Sequence, residues 1–188
     1  MKSLNLEKIN DEVYVANDPI VVVGKGEVEF LKGQASANGR RRARICAHKS
    51  NGDPLHEMLI VIASDSYIHP HRHAGKTESF HIVEGEVDIV VFDEGGEITK
   101  VLELGDAKSG KSFFYRLPPG SFHTLLIKSS FLVVHEITNG PFSRDQTDLA
   151  FWAPAEGDSD CIRDFMNDLA ILVQQHKRDS AMNRVIPH

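Results

Sequence analysis

Beyond Gly39 the apolar residues fall into short runs of Val, Ile, Phe and Leu separated by Gly, Pro, Asp and Ser. The runs are Arg42–His48, Leu55–Ala63, Tyr67–His71, Glu78–Val83, Val87–Phe92, Ile98–Leu104, Ser112–Leu117, Phe122–Ile127 and Phe131–Ile137. Nine short strands with turn signals every 8–12 residues and no helix between them predict an antiparallel sandwich or barrel. Asp93-Glu94-Gly95-Gly96 supplies one hairpin connection, and Gly85 separates its flanking strands tightly enough to supply another.

The two ends of the chain read differently. Val13, Val15 and the run Ile20–Val23, broken by Asn17-Asp18-Pro19, predict one or two short strands. Val28, Leu31 and Ala35 follow helical spacing, which places a short helix between about Gly26 and Ala37. After an irregular stretch from Asn139 to Gly157, which Phe142, Phe151 and Trp152 would pin as a plug, helicity returns. Asp158 or Ser159 can cap a helix whose stripe is Ile162, Phe165, Met166, Leu169, Leu172 and Val173, with cations near His176-Lys177-Arg178 at its end. The stripe either docks on its own barrel, the more economical arrangement, or serves a homodimer. The expected organisation is an N-terminal arm over residues 1–39, a β-barrel over 40–157 and a C-terminal helix and tail over 158–188.

At 188 residues and 41% apolar content the chain can bury a proper core, which excludes disordered and fibrous classes. A net charge of −6 argues against a general nucleic-acid backbone binder. The longest apolar stretch, Met58–Ala63, is far too short for a membrane span, and the first residues lack a secretory segment; a cytoplasmic protein is expected. Cys46 and Cys161 are too few for a disulfide framework and read as ordinary thiols.

Histidine is the outlier, with ten residues of which eight lie between His48 and His135. On an extended segment His69, His71 and His73 share a face, Glu78 opens the next strand, and His123 follows the Pro118-Pro119-Gly120 turn. Three imidazoles and a carboxylate suit one divalent transition metal, and Zn, Fe, Mn and Ni all accept that donor set. An octahedral ion would keep two open positions.

These residues carry a resemblance. His71-x-His73, four residues, Glu78, six residues, Gly85 is similar to the first cupin motif, and Pro118-x-Gly120-x-x-His123 is similar to the second. Asp65 and Ile127 stand where the motifs usually carry glycine and asparagine, neither of which is a ligand. The segments RRRARICAHKSNGDPLHEML, HPHRHAGKTESFHIVEGEVDIVVFD, FYRLPPGSFHT and VVHEITNGPF resemble the WbuC-family cupin-fold metalloproteins over roughly Arg40–Gly157. The resemblance implies a mostly β fold, a single jelly-roll-like antiparallel cupin barrel flanked by the two helices, and a metal held by His71, His73, Glu78 and His123. It also implies an association with lipopolysaccharide O-antigen synthesis, without a defined reaction. Three functions follow. One is a metal-dependent enzyme for a small oxygen-rich molecule such as a sugar or nucleotide-sugar. The others are a ferrous dioxygenase and a metal-dependent binding module.

The small-molecule ligand would meet further polar groups. His69 shares the ligands' face and is expected to line the pocket or its rim. Arg42 and Arg44 alternate onto one face and either form a solvated charge run or reach an anionic group; Arg72, Lys76, Tyr115 and Arg116 are further candidates. His135 shares a face with Phe131 and Val133 and either lines the barrel as a donor behind the ligands or is a plain core residue. His81, opposite Glu78 in the alternation, is expected to be structural.

Overall fold

The computed structural model describes residues 4–143 and 146–183. The expected arm and tail therefore extend, at 1–3 and 184–188, outside the described residues, as do positions 144–145 of the irregular stretch. Twelve strands and two helices follow in the order β1 Leu6–Lys8, β2 Val13–Ala16, α1 Lys25–Ala37, β3 Arg42–Cys46, β4 Leu55–Ala63, β5 His71–His73, β6 Glu78–Glu84, β7 Glu86–Phe92, β8 Ile98–Gly105, β9 Phe114–Leu117, β10 Phe122–Ile127, β11 Phe131–Asn139, β12 Thr147–Leu149 and α2 Ser159–Asn183.

The strands form two sheets, ordered β1-β2-β3-β4-β11-β6-β9 and β12-β5-β10-β7-β8. Pairing is antiparallel except between β2 and β3. The mostly β, jelly-roll-like architecture expected from the cupin resemblance is borne out, as two facing sheets with a helix on each outer side. Alternation sets the three layers of packing. Met58, Ile60, Ile62, Phe80, Ile82, Ile89, Leu104, Leu125, Leu132 and Val134 meet between the sheets. Their opposite-parity neighbours Val61 and Val133 pack with Leu31 and Ala35 of α1. On the far side, Val90, Phe92, Phe122 and Leu126 receive Leu169 and Val173 of α2.

Helix α1 follows the predicted stripe. Its first turn is closed by the Gly24 backbone N–H donating to Glu27 Oε2 at 2.9 Å, and at its end Asn38 Nδ2 donates to the Gln34 carbonyl at 3.0 Å. Helix α2 starts as expected at Asp158, whose Oδ1 accepts from the Cys161 N–H at 3.1 Å. It docks through its apolar stripe and through Lys177, whose ammonium donates to both oxygens of the buried Asp88 at 2.8 and 2.9 Å.

Four sequence expectations need correction. Gly85 does not close a hairpin: β6 and β7 belong to different sheets, and the glycine, at φ 92°, turns the chain from one to the other. The run Tyr67–His71 is a strand only from His71 onward. Before that, the Ile68 carbonyl accepts from Thr124 Oγ1 instead of entering a ladder. Of the aromatic plug, only Trp152 packs, 4.9 Å from the Phe92 ring; Phe151 is 87% exposed and Phe142 47%. Finally, the irregular stretch contains β12, which pairs with β5.

A side chain at Gly85 would place Cβ 2.3 Å from Ser129 Oγ and 2.4 Å from the Phe131 carbonyl oxygen. Gly85→Ala should therefore cost at least about 2 kcal/mol, read from the urea midpoint. Gly33→Ala in α1, with nothing within 4 Å of the new Cβ, should instead gain about 0.5–1 kcal/mol.

Candidate metal centre

Two short ladders bring the histidines together. His71 and His73 lie on β5, and His123 on β10 is the register partner of His71. The ring centroids of His71 and His123 are 4.6 Å apart, those of His71 and His73 5.0 Å, and those of His73 and His123 6.2 Å. Glu78 reaches in from the other sheet: its Oε2 is 3.5 Å from His73 Nε2 and its Oε1 3.4 Å from His123 Nε2. Donor atoms of His71, His73 and Glu78 all lie within 4.8 Å of one another. His123 and Glu78 are almost fully enclosed, whereas His71 and His73 are half-buried and give the cluster its open side.

Each imidazole is oriented from behind. His71 Nδ1 donates to the His69 carbonyl at 2.8 Å and His123 Nδ1 to the Ser121 carbonyl at 3.0 Å. His73 Nδ1 is 3.1 Å from Thr147 Oγ1 on β12. A carbonyl only accepts, so the ring protons of His71 and His123 sit on Nδ1 and their Nε2 lone pairs are free. For His123 that lone pair then faces a carboxylate oxygen across 3.4 Å, and Nε2 is buried without a hydrogen-bond partner among the described residues. Two acceptors held this way in a buried site need a cation between them, either a proton or a metal ion. The donor set therefore fits a divalent ion.

The electrostatics follow from the same enclosure. Burial, helped by the neighbouring His123, pushes the His71 imidazole down to about 4. Burial works against the charge on Glu78, yet His123, His73 and His71 together hold its carboxyl well below the usual range. Burial likewise opposes charge on His123, but Glu78 overrides it and raises that imidazole. Tyr115 on β9 donates its phenol to Glu78 Oε1 at 2.9 Å, fixing the carboxylate; burial and the adjacent charge raise the phenol well above its ordinary value.

The other residues singled out in the sequence divide sharply. Tyr115 does not line an open pocket but holds Glu78. His69 turns away from the cluster, its Nε2 bonded to the Ala150 carbonyl at 3.0 Å and its ring 5.8 Å from Tyr67. Arg42 is committed to Glu12 at 3.4 Å and Glu156 at 3.6 Å. Arg44 is exposed and has no carboxylate partner among the described residues. His135 does share a face with Phe131 and Val133, but that face is the outer one, where His135 lines a groove with Val21, Val23 and Glu57.

The residue on β11 that does face inward is Glu136, in the parity of Leu132 and Val134. Burial, then the nearby charge of Glu78, pushes its carboxyl up to about 8. The signal for it was present in the sequence as a lone acid in step with two apolar residues.

Comparison with known proteins adds little beyond this geometry. A family described as a domain of unknown function (DUF6016) matches residues 25–104, a span that carries His71, His73 and Glu78 but not His123. No curated protein matches. Among solved structures, the chain is similar to an uncharacterized conserved protein with a double-stranded β-helix domain from Klebsiella pneumoniae, at 14% identity and TM-score 0.45, over 60% of this chain and 86% of that one. It is similar to oxalate decarboxylase from Bacillus subtilis at 16% identity and TM-score 0.42, over 52% of this chain and 24% of that one. It is also similar to the capsular polysaccharide assembling protein CapF from Staphylococcus aureus at 17% identity and TM-score 0.43, over 52% of this chain and 27% of that one. The chain thus spans about a quarter of the length of the last two.

Two outcomes test the geometry. Tyr115→Phe should weaken metal binding about 10- to 100-fold, measured by competition with a chromophoric chelator, because Glu78 loses the donor that fixes it. The proton balance should be uneven: His71, already neutral at about 4, releases none on binding near neutrality, whereas His123, raised by Glu78, must give one up. Affinity should accordingly climb as pH rises through the histidine range, and calorimetry in buffers of differing ionisation enthalpy should register that proton; a pH-independent affinity would contradict the assignment.

Proposed function

We propose that His71, His73, Glu78 and His123 hold one divalent transition metal and that this centre acts on a small oxygen-rich molecule, a sugar or nucleotide-sugar. The observation that carries the reading is the buried pair His123 Nε2 and Glu78 Oε1, facing each other across 3.4 Å with Nε2 in no hydrogen bond among the described residues. Bound there, the ion would act as a Lewis acid toward a carbonyl or hydroxyl oxygen.

The chain's own residues do the rest. The His69 and Ser121 carbonyls and Thr147 aim the three imidazoles, and Tyr115 fixes the carboxylate. The half-buried edge at His71 and His73 is the side on which a ligand approaches. What supports a role in surface polysaccharide synthesis is the resemblance of Arg40–Gly157 to the WbuC family. Among the described residues no helix is long and apolar enough to cross a membrane. The proposal is of a cytoplasmic protein with a small-molecule partner.

Elemental analysis of protein purified from its own host should find about one divalent ion per chain, and His71→Ala or His123→Ala should lose it. Metal removal should abolish turnover in a sugar-nucleotide screen; full stoichiometry in either variant, or unchanged turnover of metal-free protein, would refute the reading.

A further inference from the structure

The inner face of the large sheet and the segment leading into β6 carry three charged side chains that the metal reading leaves unused. Glu136 lies between Met58 and Phe80 in the ladders, one inward-facing step from the Thr138–Glu78 pair. Lys76 precedes Glu78 by two residues, in the same parity. Arg44 on β3 pairs with Ile60 and shares its face with the buried Cys46. Both cations act electrostatically on the Glu136 carboxyl.

Among the described residues neither cation forms an ion pair. Arg40 pairs with Glu156 at 2.6 Å, Arg41 with Asp65 at 3.0 Å and Arg42 with Glu12 at 3.4 Å. Arg44 forms no ion pair among the described residues, and its polar neighbour is the Cys46 thiol. Lys76 is only 6% exposed, yet its ammonium makes no hydrogen bond or ion pair among the described residues and lies 5.2 Å over the Phe142 ring. An ammonium without such a partner, on a stem that is itself enclosed, is positioned to take a bound anion. Glu78 and Glu136 already bring acid groups to the region, so a singly charged carboxylate fits better than a doubly charged phosphate.

We propose that the open side of the cluster recognises the carboxylate of a small oxygenated acid, of the sugar-acid class, with Arg44 offering paired donors and Lys76 a single point charge. This names the ligand class of the proposed metal centre and rests on that reading for where the rest of the molecule lies. Recognition of the carboxylate itself does not depend on the ion.

The test is calorimetric titration of metal-loaded, full-length protein with D-glucuronate, D-glucose and inorganic phosphate, with metal content measured on the same samples. Glucuronate should bind saturably, glucose at least about tenfold more weakly and phosphate no more tightly than glucuronate. Arg44→Gln and Lys76→Met should each weaken glucuronate about tenfold with metal content unchanged, and Lys76→Arg should restore most of the loss. Should Lys76→Met fail to fold, Arg44→Gln, at an exposed position, decides the matter with the same readout. Equal affinity for glucose, tighter binding of phosphate, undiminished glucuronate binding by Arg44→Gln, or no saturation below about 10 mM overturns the proposal. Protein that takes up no metal but binds glucuronate in an Arg44- and Lys76-dependent way would refute the metal centre and leave the carboxylate site standing.

Discussion

The rest of the structure is arranged around a confrontation of like groups. The His123 Nε2 and a Glu78 oxygen point at each other in an enclosed space, and the Nδ1 protons of His123 and its neighbour His71 are drawn off by backbone carbonyls behind the rings. Backbone carbonyls are fixed by the fold, so this orientation comes at no cost in side-chain freedom when a cation arrives. Strands β5 and β10, short as they are, exist in the register that makes it so.

The arginine run shows how a composition feature dissolves into separate roles once the chain is folded. Arg40 and Arg42 share Glu12 and Glu156, fastening the segment after α1 both to the N-terminal strands and to the approach to α2. Arg41, at φ 58°, is turned out of the strand direction toward Asp65. Within the run, Arg44 keeps the strand's alternation and has no ion pair among the described residues. Exposed pairs of this kind contribute little to stability individually; within the run their effect is to leave the Arg44 guanidinium without a carboxylate partner among the described residues.

What was legible in the sequence was whatever depended on local spacing. The four candidate donors could be singled out because the first three sit within eight residues and the fourth follows a Pro-Gly turn, and both helices could be read because each carries a stripe of one period and a capping group. What could not be read was which face of a strand is inside. Parity correctly grouped His135 with Phe131 and Val133, but a helix packs on that face, and the inward position fell to Glu136. The same limit applies to Gly85: a tight glycine turn is visible in the sequence, while its use to leave one sheet for the other depends on pairings dozens of residues away. Strand β12 escaped because three residues carry no periodicity, yet through Thr147 it helps orient His73.

The chain's passage through Gly85 has a mechanical corollary. Because β6 and β7 part company there, the three imidazoles ride on one sheet and the carboxylate on the other, the two layers being held by side-chain packing and by the chain's crossings between them. An ion gripped by all four would therefore rivet the halves of the sandwich to each other, so that loading the centre and stiffening the whole scaffold become a single event.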